Sequence, residues 1–480
     1  MSAPLNLTVY SAVALSQMGD YQMGDSLKFF SPDVVAVPEP HHELHVKQTS
    51  NADIPVVVTG GMPRETTPIH SSGSVDLVHV THPDDLEKLP KLERDGEIDT
   101  GSETYLLSDL LSVQMDLTNL EARLEGGDEY TSALPVDDIE GSYSHLTAAA
   151  NPDYWNEWGS LSVQGVMPGE NERLGQGQSE IASLQLFADG VISTRTIAPD
   201  KLGLRGVHQV GQSRADTLRE NGMKTREELA DAEIFEVKEL SGFGRSLAET
   251  VIDSAVATVE GEVRRHGDEG FPSTEPIFID IETDGLNPTM VWLIGALDRQ
   301  GEETYMSFLA RDPEEPGKAV EAFMSWLTAN VPNRPVVAYN GIGFDFPILE
   351  EHINQHCSGY LKDWQNTWMF DPLFWATQED QATLPGRTNK LEDVASALGW
   401  EGDDTGLSGA AVGRLFQQWM ANPCEETELD WERHEAYCED DVRALARVYD
   451  AIDNASRTAG RGGGEPTTST TTSQGTLGDF

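Results

Sequence analysis

Short apolar runs of strand character (SPDVVAVP, IPVVVTGG, VDLVHV, ASLQLFADGVIST) recur along residues 1–198. They alternate with stretches of helical spacing such as YLLSDLLSVQMDLTNLEARL, and this predicts an α/β domain. Residues 199–266 read as helical, broken by two glycine-bearing hairpins, which predicts a small all-α module. GDEGFPSTE at 267–275 reads as a linker. Strands and helices alternate again over 276–453, predicting a mixed sheet flanked by helices. Residues 454–473 are nearly free of apolar side chains and rich in Gly, Ser and Thr, so a disordered linker is expected before QGTLGDF at 474–480. The expected fold class is a multidomain α/β protein.

Within 276–453 the pattern carries chemistry. PIFIDIET is strand-like, and alternation places Asp280 and Glu282 on one face. A lone pair of this kind is more often a solvated edge strand. VVAY at 336–339 is a second strand, followed by a turn at Asn340 and Gly341 and a helix opening near Asp345. Asp345 alone would pass for a first-turn acid. In the last helix, expected over 431–452, Tyr437 and Asp441 stand four apart on the face that continues through Leu445, Val448 and Ile452. Asp441 therefore points to the core and needs a partner, which a metal or Tyr437 would supply. Asp371 in MFDPLFW reads as structural.

The ordered set of strand DxE, then NxxxxD, then YxxxD on the final helix resembles the DEDD exonuclease superfamily of the ribonuclease-H-like fold, in its tyrosine subclass. YNGIGFDFPIL and YCEDD are most similar to the exonuclease domain of family-B DNA polymerases. The resemblance spans about 276–453, with NKLEDVASALGW similar to the helix before the third motif. It implies a 3′–5′ exonuclease using two Mg²⁺ or Mn²⁺ ions. Asp280, Glu282, Asp345 and Asp441 would hold the metals, and Tyr437 would orient the attacking water.

The hairpins GVHQVGQSRADTLRENG and ELSGFGRSLAETVIDS each precede a helix. The second fits the LxGxGxxxA pattern and resembles helix-hairpin-helix modules; the first carries Gln209 at the first glycine position. Glycines let backbone approach a phosphate, and a helix N-terminus offers free N–H groups, so Gly211, Arg214, Gly242, Gly244 and Arg245 are candidate DNA contacts. Gln474, Leu477 and Phe480 form QxxLxxF, which resembles the clamp-binding peptide (PIP box) that docks on the PCNA sliding clamp. The 1–198 strands faintly resemble the calcineurin-like metallophosphoesterase framework, but the DxH, GNH and GHxH motifs are missing. A non-catalytic or divergent module is expected there, although HHELH and the six histidines His41, His42, His45, His70, His79 and His82 are a candidate metal cluster.

Charge changes the picture of the partner. The net charge is −50, with 10 Lys against 22 Arg. This acid is spread over segments that look folded, as in salt-adapted proteins, and a haloarchaeal-type composition is expected. In strong salt the Debye length is about 3 Å, so repulsion from DNA is screened and contacts must be local. Residues 201–266 hold 10 Lys and Arg against 12 acids, net −2, and the relaxed acidity suggests an anionic ligand. Cys357, Cys424 and Cys438 form no CxxC, which suits a reducing, cytoplasmic location. The first residues make a poor signal peptide, and no apolar run is long enough for a membrane span. The sequence thus points to a DNA exonuclease of repair or replication recruited by PCNA. The alternatives are a ribonuclease or structure-selective endonuclease of the same fold, and a non-catalytic DNA-binding clamp adaptor.

Overall fold

The computed structural model describes residues 3–49, 54–60, 68–116, 121–152, 154–158, 161–168, 180–402, 405–424 and 427–456. The chain divides into two compact units, Met1–Gly203 and Leu204–Phe480. Among the described residues no helix is long and apolar enough to cross a membrane.

In the first unit, parallel strands β1 (Leu5–Tyr10), β2 (Val34–Val37) and β3 (Val56–Val58) are joined through helices α1 (Ala12–Gln17), α2 (Asp20–Phe30) and α3 (Pro40–Thr49). A second sheet holds β4 (Ile69–Ser72), β5 (Val75–Val80) and β6 (Glu103–Ser108), with α4 (Pro83–Glu87) and α5 (Leu89–Asp95) between β5 and β6. The separate hairpin β7 (Ser112–Asp116) and β8 (Glu121–Glu125) leads to α6 (Gly127–Ala133). The second sheet is completed by β9 (Ser142–Thr147), β10 (Trp155–Trp158) and β11 (Leu161–Gly165), in the order β10-β11-β9-β6-β5-β4. Hairpin β12 (Ile181–Leu186) and β13 (Ile192–Ile197) then adds to the first sheet, β12 pairing antiparallel with β1.

Leu5, Leu7 and Val9 share one core with Leu77, Tyr105 and Leu107, so the two sheets pack face to face. Tyr10, Val35 and Val37 pack outward on Leu15, Met23, Leu27 and Val46 of α1–α3, while Val78, Val80 and Leu106 meet Leu86, Leu89 and Tyr130 of α4–α6. The layers are α/β/β/α. Residues 105–124, expected to be helical, are instead the end of β6 and, among the described residues, the β7–β8 hairpin. Tyr105, Leu106 and Leu107 are buried in turn on opposite faces of a strand. A strand covered on both sides is a continuous apolar run, and such a run imitates helical spacing.

The second unit opens with α7 (Gln212–Glu220), α8 (Arg226–Ala230), α9 (Ile234–Lys238) and α10 (Arg245–Glu260) around Val210, Ala215, Leu218, Leu229, Phe243 and Val251. The chain after α10 forms β14 (Arg264–Arg265). The stretch 267–275, read as a linker, has no helix or strand and is mostly exposed, but it packs on the fold through Phe271 and Pro272. Phe271 stacks on Tyr449 with centroids 4.9 Å apart, and the buried Arg265 guanidinium lies 4.7 Å from the Phe271 centroid.

Next comes a meander of β15 (Ile277–Thr283), β16 (Val291–Asp298) and β17 (Thr304–Leu309), then α11 (Lys318–Asn330) and β18 (Val336–Val337). Then follow α12 (Asp345–His356), α13 (Leu361–Asn366), β19 (Met369–Phe370) and α14 (Pro372–Thr377), and β20 (Ala382–Thr383), which pairs with β14. Helices α15 (Leu391–Ala397), α16 (Gly409–Ala421) and α17 (Trp431–Asn454) complete the unit. The sheet order is β17-β16-β15-β18-β19, with β15, β18 and β19 parallel.

Alternation along β15 sorts its side chains. Ile277, Ile279 and Ile281 enter a core with Val320, Phe323, Leu349 and Trp364 of α11–α13. Phe278, on the opposite face, packs with Val442, Leu445, Val448 and Ile452 of α17. Asp280 and Glu282 share the face of Phe278 and are thereby turned toward α17.

Candidate functional site

Three elements carry the acidic residues to one place. β15 supplies Asp280 and the buried Glu282, and a bulge follows at Glu282/Thr283. α12 supplies the buried Asp345 from its first turn. The approach to it is fixed by Asp371, whose carboxylate accepts from the N–H groups of Asn340 (3.1 Å), Ile342 (3.1 Å), Leu373 (3.0 Å) and Phe374 (3.2 Å). Asp371 thus caps α14 and holds the turn that feeds α12. Asn340 in that turn has φ 56°, a left-handed conformation that Asn tolerates. β18 pairs with β15 only at Ile277 and Phe278, so the end of β15 that carries Asp280 and Glu282 lies beyond this pairing.

α17 supplies Tyr437 and Asp441. The helix is capped by Asp430, which accepts from the Arg433 N–H at 3.1 Å. Tyr437 and Asp441 stand one turn apart, and burial together with the Asp441, Glu282 and Asp280 carboxylates holds the Tyr437 hydroxyl above its ordinary range. Glu439 and Asp440 are turned to other partners: Glu439 accepts from Arg443 at 2.8 Å and Asp440 from Trp400 Nε1 at 3.2 Å.

The electrostatics are those of crowded acids. Asp280 is held well above the usual carboxylate range, first by burial and then by Glu282, Asp441 and Asp345. Glu282 is raised by burial and by Asp441 and Asp345. Asp345 is pushed up to about 7 by burial, with Asp371 adding to it and N–H donors opposing it. Asp441 is also pushed up to about 7, by burial and Glu392, with Tyr437 opposing them. Glu282 Oε1 is buried with no hydrogen-bond partner. An orphaned carboxylate oxygen among repelling acids fits a divalent cation of oxygen preference, which removes both the desolvation and the repulsion.

Two neighbours were not anticipated from the sequence. Cys438 Sγ lies 3.8 Å from Asp280 Oδ2, and Asp280, Glu282 and Cys438 offer ligand atoms within 4.8 Å of one another. Asp345 and Asp441 lie outside that tight set but near enough to act on its charge. The Tyr305 hydroxyl stands beside the sulfur: a Cβ on Gly295 would lie 2.7 Å from Cys438 Sγ and 2.9 Å from Tyr305 Oη. The available signal was Cys438 standing three residues before Asp441, on a neighbouring line of the same helix.

Residues 277–453 match the family model of the RNase H superfamily. This domain is RNase H-like. Residues 202–256 match the SAM-like helix-hairpin-helix tandem. Similar solved structures include exonuclease I (16% identity, TM-score 0.23, covering 32% of this chain and 42% of that one). E. coli exonuclease I in complex with a dT13 oligonucleotide has 17% identity and TM-score 0.23, over 31% and 41% of the two chains. Product-bound exonuclease I has 14% identity and TM-score 0.23, over 36% and 46%. The chain therefore spans less than half of these proteins. No curated protein matches it.

In the helix-hairpin-helix tandem, Gln209 (φ 61°) and Gly242 (φ 83°) take the same left-handed turn two residues before Gly211 and Gly244, the N-caps of α7 and α10. The Gln209 substitution therefore leaves the first hairpin's backbone form intact. Neither helix start has a side-chain cap, and Gly211 and Gly244 are exposed with nothing within 4 Å of an added Cβ. Arg214 donates to Gln209 O (2.7 Å) and Gly242 O (3.4 Å), tying the hairpins together, while Arg245 pairs with Glu249 at 2.9 Å.

The histidines of the first unit fall in separate places, with His41 and His42 ring to ring on α3 at 3.9 Å between centroids. His45 pairs with Asp20, His79 with Asp109 at 3.1 Å, and His82 caps α4. Among the described residues the Asp280 group is the one set of three His, Cys, Asp or Glu that could hold a metal. Gln474, Leu477 and Phe480 lie outside the described residues.

The raised carboxylates fix a pH dependence. Between the ordinary Asp value of 3.8 and about 7, the folded protein holds protons that the unfolded chain has released. Its stability therefore falls as pH rises through that window. The melting temperature measured in chelator should decline from about pH 5 to about pH 8, less steeply for Asp345→Asn, with Mn²⁺ restoring more at the higher pH. Equal slopes for the two proteins would show that Asp345 does not titrate as described.

Proposed function

We propose that the chain is a metal-dependent 3′–5′ exonuclease of the tyrosine DEDD subclass, acting on DNA in repair or replication. The observation that carries this reading is the convergence of Asp280, Glu282, Asp345 and Asp441 around an unpartnered Glu282 oxygen, with Tyr437 buried among the same acids. The polarity comes from the resemblance in motif order, and the nuclease chemistry is in keeping with the RNase H-like domain.

Asp280, Glu282, Asp345 and Asp441 would hold two Mg²⁺ or Mn²⁺ ions, which supply a water of lowered pKa and neutralise charge on the leaving 3′ oxygen. Tyr437 then has a positioning role. Burial and the surrounding acids raise its hydroxyl above its ordinary value, so it stays protonated and can donate to a water or phosphate oxygen once Asp441 is engaged elsewhere. Asp371 keeps the Asp345 turn rigid, which fixes the scissile group relative to β15.

A 5′-labelled single-stranded DNA, incubated with Mn²⁺ in molar KCl, should give a ladder of shortened products with wild type and at least ~10³-fold less with Asp280→Ala. Cleavage of a matched RNA alone would move the assignment to a ribonuclease. No metal-dependent cleavage of either substrate would favour the non-catalytic adaptor.

The tandem is proposed to hold DNA backbone through the exposed, uncapped helix starts. Gly211 and Gly244 have space around them, so neither the local φ nor internal packing requires glycine; close approach of an external phosphate does. Gly244→Val should fold normally yet weaken duplex binding by about tenfold, measured by fluorescence anisotropy, with Mn²⁺ binding unchanged. Undiminished DNA binding would reduce the module to a spacer. For the C-terminal tail, QxxLxxF supports docking on the PCNA clamp through Gln474, Leu477 and Phe480. Removal of 474–480 should abolish co-elution with PCNA in gel filtration; persistence of the complex would exclude this contact.

A further inference from the structure

Oxygen ligands suffice for Mg²⁺ or Mn²⁺, yet a sulfur is built into the site. Cys438 is fully buried, and its Sγ stands within 4.8 Å of carboxylate oxygens of both Asp280 and Glu282. The strand opposite makes room for it. Gly295 pairs directly with Asp280, and a Cβ there would fall 2.7 Å from Cys438 Sγ and 2.9 Å from Tyr305 Oη. Any other residue at 295 would displace the sulfur. The thiol is aimed at Asp280, donating to its backbone O (3.9 Å) and to Oδ2 (3.8 Å). Independently, Glu282 is 6% exposed and its Oε1 has no partner, so a buried acceptor stands ready beside the thiol.

Two carboxylate oxygens and one thiol sulfur form a donor set suited to a borderline-soft ion. Thiolate ligands select Zn²⁺ over Mg²⁺ and Mn²⁺, and Zn²⁺ also stands above Mn²⁺ in general affinity. We propose that Asp280, Glu282 and Cys438 constitute a mixed oxygen–sulfur site that takes a thiophilic divalent cation, Zn²⁺ in particular. This occupancy withdraws Asp280 and Glu282 from the hard ions and switches the centre off. On binding, the thiol releases its proton to solvent and the sulfur lone pair forms the metal–sulfur bond; no oxidant or reductant is involved. The inference rests on reading this cluster as a metal centre, as under Proposed function, but not on the identity of the nucleic acid. The competing role for Cys438 is that of a small apolar filler between β15, β16 and α17.

The test uses the full chain stripped with chelator, with Cd²⁺ as the spectroscopic probe and Zn²⁺ and Mn²⁺ as competitors. Three proteins are compared: wild type, Cys438→Ser, and Cys357→Ser/Cys424→Ser, which removes the two other thiols. A thiolate-to-cadmium ultraviolet band should saturate at a single equivalent in wild type and in the double variant, and be absent in Cys438→Ser. Mn²⁺ should still bind Cys438→Ser, followed by its electron paramagnetic resonance signal, while Zn²⁺ displaces Mn²⁺ from it ~10-fold less effectively than from wild type. A band retained in Cys438→Ser overturns the proposal. No band in wild type alongside normal Mn²⁺ binding overturns it too and leaves the exonuclease reading intact. Failure of wild type to bind either Cd²⁺ or Mn²⁺ brings down both.

Discussion

The domain from β15 to α17 depends on keeping mutually repelling carboxylates in a dry place. If Asp280 and Glu282 were both ionised, oxygens within 4.8 Å would repel by roughly 3 kcal/mol even at an effective dielectric of ~20. Such a cost persists only where the surroundings over-determine the geometry. Ile277, Ile279 and Ile281 anchor one face of β15 in the α11–α13 core, and Phe278 anchors the other beneath α17. The acids are held at the edge of these two apolar layers, where they cannot relax away from each other. Cation binding is the simplest physical reason for preserving such an arrangement, and it explains why Glu282 Oε1 has no partner within the protein.

The supporting polar groups follow from the same constraint. Asp371 is buried but fully engaged, its four N–H donors opposing the effect of burial. It therefore belongs to the scaffold, whereas Glu282, also buried, keeps an unpartnered oxygen, as the proposed site requires. Satisfaction of hydrogen bonds, not burial or residue type, separates the two. In the helix-hairpin-helix tandem the logic is reversed. There the backbone donors at the starts of α7 and α10 are uncapped and exposed, and the arginine expected to meet the ligand, Arg214, is spent on joining the two hairpins through Gln209 and Gly242. The anion recognition proposed for this module would then fall to the backbone.

The first unit is an α/β/β/α sandwich with a core drawn from both sheets. His41, His42 and His45 share α3, where His45 pairs with Asp20, whereas His79 on β5 pairs with Asp109 and His82 caps α4. His41 and His42 of HHELH meet on α3 with ring centroids 3.9 Å apart, but among the described residues they belong to no group of three metal-ligand atoms. His42 is nearly buried while His41 is exposed.

Periodicity in the sequence determined which side chains of the RNase H-like domain share a face: the alternation in IFIDIET and the four-residue step from Tyr437 to Asp441 are local geometry, set by backbone repeat alone. It also determined the two hairpin–helix units, because their turn residues act within a few positions of each other. Residues 105–108 carry helical spacing for the same reason, since local spacing cannot distinguish a helix from a strand covered on both faces by distant layers. Cys438 likewise acquires meaning only when Gly295, 143 positions away in the chain, leaves room for its sulfur beside Asp280. Which acid is a scaffold cap and which is an unsatisfied ligand was decided by the tertiary structure, because hydrogen-bond partners and desolvation are properties of what packs around a residue, and no repeat along the chain encodes them.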